Sequence, residues 1–64
     1  MGKLVGFEVK ARSSVTADDF AGLKSLKEAA GDDFKHGIVL YTGKTVLAFG
    51  TDMVAVPITA LMGE

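Results

Sequence analysis

Glu8-Val9-Lys10 sets a carboxylate and an ammonium two residues apart, and on an extended chain that spacing projects both from one face at a fixed separation. Metal-dependent phosphodiester hydrolysis uses such a pair. The carboxylate helps to hold Mg²⁺, which favours carboxylate, water and phosphate oxygens, and the lysine steadies the attacking water or the developing charge. The same two residues on the wet face of an edge strand also make an ordinary structural ion pair, so spacing alone leaves both readings open. Other candidates are weaker. Gly43-Lys44-Thr45 copies the end of a phosphate-binding loop, but the glycine required at its start falls on Ile38 and the residues that follow read as strand instead of helix. The helix start near Thr16 already has Asp18 and Asp19 at its positive end, which favours a cap over an anion site. Lys24, Lys27, Lys35 and His36 form at most a small basic patch, for which solvated surface charge is the ordinary reading.

The elements that position Glu8 and Lys10 follow from periodicity. Lys3 to Arg12 alternates, with Val5, Phe7, Val9 and Ala11 on one side and Leu4, Gly6, Glu8, Lys10 and Arg12 on the other, the pattern of a half-buried strand. Thr16 is a good N-cap, Asp19 stands at N3, and Val15 is placed to staple onto Phe20. The helix predicted from there carries Phe20, Leu23, Leu26 and Ala30 on one stripe and stops at Gly31. Gly37 to Thr42 is a continuous apolar run suited to a strand buried on both faces, mid-sheet. Turns at Gly43-Lys44 and at Gly50 to Asp52 predict two successive hairpins through strands 45–49 and 53–56. Pro57 cannot donate to a ladder and ends the last strand, leaving Ile58 to Met62 for one helical turn. Met53 reads as core, and Leu61-Met62 is expected to fold back over the sheet.

The resulting fold class is α/β (mixed α+β), in the order β-α-β-β-β, with a single helix on a four-stranded mixed sheet. The first crossover should be right-handed, with its two strands parallel and the helix stripe on the Val5, Phe7, Val9 face. Glu8 and Lys10 would then look out from the uncovered side. Residues 1–64 read as a single small domain, and since nothing covers the second face and the first strand lies at the chain start, it resembles the C-terminal part of a larger fold.

Sixty-four residues with no cysteine exclude disulfides and thiolate zinc sites, and the single histidine leaves no imidazole cluster. Seven Lys and Arg against eight Asp and Glu give a formal net charge of −1, which argues against sequence-blind nucleic-acid binding. No signal sequence or apolar stretch of membrane-spanning length is present, so the expectation is a soluble, cytoplasmic protein. A chain this small buries only about 60% of its unfolded surface, which makes association the expected extra support. One form of it pairs the exposed first strand with its symmetry mate and brings two Glu8-Lys10 sets face to face.

Gly6-Phe7-Glu8-Val9-Lys10, Ser13-Ser14-Val15, Asp19-Phe20, Gly22-Leu23, Leu26, Gly37 to Gly43, Phe49-Gly50, Ala55-Val56-Pro57 and Leu61 together resemble the C-terminal domain of unknown function of prokaryotic AAA+ type ATPases, over nearly the whole chain. That domain is similar to the PD-(D/E)xK nuclease superfamily, the restriction-endonuclease-like fold. The resemblance implies the second half of that core, with Glu8 as metal ligand, Lys10 as the water-orienting or phosphate-contacting catalytic residue, and Mg²⁺ as the cofactor. It also implies a DNA-related role beside an ATPase domain. The superfamily's upstream Glu and Asp have no counterpart ahead of Glu8, and the Trp common near the positions of Met53 and Met62 is absent. The expected partners are therefore a second copy or the missing half of a larger domain, and the isolated chain is not expected to cleave. The alternative is a non-catalytic oligomerisation or scaffolding domain that keeps only the fold.

Overall fold

The computed structural model describes residues 3–62. Strand β1 (Leu4–Val9) is followed by a 3-10 turn (Ala17–Phe20) that runs straight into helix α1 (Ala21–Ala30). A second 3-10 turn (Gly31–Asp33) leads into β2 (Phe34–Tyr41), then β3 (Leu47–Ala48), β4 (Met53–Pro57) and a closing 3-10 turn (Ile58–Met62). The predicted order β-α-β-β-β and the single helix on a four-stranded mixed sheet are therefore what the chain adopts. The sheet order is β1-β2-β4-β3, with β1, β2 and β4 parallel and β3 antiparallel to β4. The apolar run of β2 does lie mid-sheet, between β1 and β4.

Local chemistry accounts for the helix. Thr16 is the N-cap, and its backbone N–H donates to Asp19 Oδ2 at 2.9 Å, the reach-back half of a capping box. Gly31 closes the helix at φ +60°, a conformation that favours glycine. Phe20, Leu23, Phe34, Val39, Tyr41, Met53 and Ala55 form the core, with Leu4, Val15, Leu26, Ala30 and Phe49 packed against it. Phe20 is fully buried, and its ring lies 4.7 Å from that of Phe49. Met53 is core, as expected.

Three expectations are corrected. The helix does not cover the Val5, Phe7, Val9 side. It lies against the opposite side of β1, where a Cβ on Gly6 would come within 2.8 Å of both Leu23 and Leu26. Gly6 pairs with Gly37 in register, and a Cβ on Gly37 would meet Leu23 Cβ at 3.2 Å. The two glycines form a shallow bed that lets the helix approach closely, and that closeness outweighs the more apolar pattern of the other side. Val5, Phe7 and Val9 are left 44%, 56% and 61% exposed.

The second correction concerns the hairpins. Only β3–β4 forms, because β4 inserts beside β2 and displaces β3 to the far edge. Tyr41 explains the local part: its hydroxyl donates to the Thr45 carbonyl, and Gly43 lies against its ring, where there is no room for a Cβ. The chain after β2 wraps around this side chain instead of reversing into a ladder. Third, Leu61 and Met62 do not fold back; they are 65% and 68% exposed. A five-residue 3-10 turn advances only about 10 Å, too little to turn and re-cross the sheet.

Candidate functional site

β1 is the edge strand nearest the start of α1, and the chain beyond Val9 stays tied to β2 and to Thr42 after it by two backbone hydrogen bonds. The Lys10 N–H donates to the Leu40 carbonyl at 2.8 Å, and the Thr42 N–H to the Arg12 carbonyl at 2.9 Å. Glu8 and Lys10, two apart, lie on the same side of this chain. Glu8 Oε2 lies 3.8 Å from Lys10 Nζ, with the two side chains 43% and 32% exposed. Glu8 Oε1 would lie 3.9 Å from a Cβ on Gly22, which places the carboxylate beside the first turn of α1. The pair thus sits on the helix-bearing side of the sheet, at an open margin, and not on the uncovered face that the sequence pattern predicted. Both groups are within reach of a ligand from solvent.

Arg12, in the bend that follows, pairs with Asp19, a contact that the sequence does not announce. Asp19 is held by the Thr16 N–H on one oxygen and the Arg12 guanidinium on the other. Its pKa is lowered from the ordinary 3.8, first by the Thr16 backbone hydrogen bond and then by Arg12, with a smaller effect from Lys10. With both oxygens engaged, Asp19 serves the helix start and is not free to join Glu8 as a ligand. Among the described residues no group of three or more His, Asp or Glu side chains converges, and Glu8 alone does not satisfy the six-oxygen preference of Mg²⁺. The Lys10 ammonium beside it also opposes a cation.

The lowered pKa of Asp19 has a sign that can be checked. A carboxylate with a native pKa below its unfolded value stabilises the fold above the unfolded pKa, and that contribution disappears as pH falls through the native value. The expected result is that Asp19→Asn is less stable than the parent at neutral pH and that the gap closes at pH below 3.8. Thermal unfolding followed by circular dichroism from pH 7 downwards measures it; a gap constant across that range would show that the charge on Asp19 contributes nothing.

At the other end of α1, Lys27 Nζ pairs with Asp52 Oδ2 at 2.6 Å and lowers the Asp52 pKa. This bond ties the helix to the β3–β4 turn and takes Lys27 out of the basic patch considered from sequence. A cleft of about 590 Å³ opens there between Lys24, Lys27, Glu28, Phe49, Asp52 and Met53. Neither Glu8 nor Lys10 borders it, and its charges are of both signs, so it does not extend the Glu8-Lys10 pair. Among the described residues no helix is long and apolar enough to cross a membrane.

Comparison with known proteins adds one match. The model of a family described as "Domain of unknown function (DUF4143)" covers residues 1–61. No curated protein and no solved structure matches the chain.

Proposed function

The chain belongs to the DUF4143 family, a domain of unknown function, and from that premise we propose that it is a nuclease-like module, one half of a phosphodiester-processing site, acting in a DNA-related process beside an ATPase. The observation that carries this reading is the Glu8-Lys10 pair: a carboxylate and an ammonium 3.8 Å apart, both solvent-accessible, on a backbone fixed by pairing to β2. The resemblance of Gly6 to Lys10 to the ExK segment of PD-(D/E)xK nucleases supports it and supplies the ATPase and DNA context. Lys10 would contact phosphate, and Glu8 would be one ligand of a divalent cation whose other ligands come from a second copy or another segment. The chain alone is a catalytically incomplete half-site. If the pair has no chemistry, the module is a scaffold that keeps only the fold.

Mn²⁺ titration followed by amide NMR decides between these. Sub-stoichiometric Mn²⁺ should broaden Phe7 to Ala11 selectively, and Glu8→Gln should abolish the effect. Lys10→Met should strengthen the broadening, because removal of a half-exposed ammonium 3.8 Å away relieves a repulsion worth about 0.2–1 kcal/mol, or up to about 5-fold in affinity. Uniform, weak broadening over all the surface carboxylates at millimolar metal would leave Glu8 and Lys10 as a structural pair.

A further inference from the structure

The uncovered side of the sheet is apolar in register. Phe7, Ile38 and Val54 form one row across β1, β2 and β4, and Val9, Leu40 and Val56 form the next. No charged residue stands in either row. Phe7 and Val9 are the most exposed of the six, at 56% and 61%, while Leu40 between Val9 and Val56 is already 6% exposed. Leu40 is absent from the core beneath the helix, so this face has its own apolar centre. Parallel strands such as β1, β2 and β4 are found almost only where both faces are covered, and here, among the described residues, one face has α1 and the other has no covering element.

We propose that this face is covered by the same face of a second copy, giving a two-fold dimer with the two sheets stacked and a helix on each outer side. The dimensions fit. The molecule measures 33 × 25 × 18 Å, so its broad side has a footprint on the order of 600 Å², and texture brings the accessible area close to the about 800 Å² that each partner of a stable interface contributes. The chain exposes 4249 Å² in total, against the about 3,900 Å² expected of a compact monomer of its mass. A neutral face offers no charge pattern for a charged partner to complement, and an isologous contact needs only a patch that matches itself. Flat rows of β-branched and aromatic side chains interdigitate across the about 10 Å spacing of stacked sheets. This arrangement differs from edge pairing through β1: Glu8 and Lys10, on the helix side, stay on the outside of the dimer. It stands whether or not those residues bind metal.

Sedimentation equilibrium across about 5–500 µM chain, a range that brackets interfaces of this size, should show a concentration-dependent rise towards twice the chain's 6.7 kDa. Phe7→Lys and Val9→Lys, both at exposed positions, should keep a dispersed NMR spectrum and weaken association at least about 100-fold. Isotope-filtered NOEs in the unmodified chain, from the Phe7 ring to Ile38 and Val54 methyls of the other copy, test the same contact without a variant. A chain that stays monomeric at the highest concentration overturns the proposal, as does a dimer that survives both lysine substitutions, which would place the contact at the strand edge.

Discussion

Phe20→Ala is expected to unfold the chain at 25 °C. Phe20 has no exposed surface, stands where the 3-10 turn becomes α1, and packs its ring against Phe49 at 4.7 Å. Truncating a buried Phe costs about 3–5 kcal/mol. A 64-residue domain has on the order of 3–10 kcal/mol in all, at about 0.05–0.15 kcal/mol per residue. The loss consumes most of that margin, and α1, already seated closely on Gly6 and Gly37 through Leu23 and Leu26, has little room to shift into the void. Far-UV circular dichroism and amide dispersion report the outcome. A variant that unfolds cooperatively with a midpoint near the parent's would mean that the Phe20 pocket collapses freely. Leu61→Ala, at a position 65% exposed, is the matched control and should change stability by less than about 0.5 kcal/mol.

Gly37→Ala should be the next most damaging single change, although it adds one methyl group. That methyl would lie 2.6 Å from Met53 Sδ and 3.2 Å from both Leu23 Cβ and Phe34 Cζ. Met53 can swing its sulfur aside, but Leu23 Cβ is fixed to the helix backbone, so relief requires α1 to lift from the sheet. Overpacking of this kind costs about 1–3 kcal/mol. With a urea dependence near the low end for small proteins, about 1 kcal/mol per molar, the unfolding midpoint should fall by about 1–3 M. A midpoint unchanged within about 0.3 M, below the smallest overpacking cost, would show that the helix is not seated on Gly37 as described.

What the sequence revealed, and what it hid, divides along the range of the interactions. The Glu8-Lys10 pair was legible because a strand's period of two is a property of the backbone itself, and the Thr16-Asp19 cap because it spans three residues. Polarity is a poor guide to the face that α1 covers, because β1 and β2 together are apolar enough to face inwards on either side. The decisive signal was steric and sat in the same residues: Gly6 and Gly37 fall opposite each other and admit a helix where Phe7 and Ile38 would hold it off. Turn chemistry at Gly43-Lys44 correctly marked a bend, yet the partner of β2 was chosen by a strand a dozen residues further on, which no local rule reports. The Arg12-Asp19 and Lys27-Asp52 pairs likewise join residues that only the folded sheet brings together. As for the site, the two residues could be read from sequence; their placement beside α1, and the engagement of Asp19 elsewhere, required the fold.

The insertion of β4 between β2 and β3 has a consequence for the order of folding. β1, α1 and β2 can assemble from residues 4–41 alone, but one whole edge of β2 then stays bare, with its peptide groups unpaired, until residues 53–57 dock. β3 cannot shield it meanwhile, since its place is on the far side of β4. The folding chain therefore passes through an interval in which its longest strand presents an open ladder to any neighbouring polypeptide. Any change that slows the docking of residues 53–57 lengthens that interval and should raise aggregation during refolding.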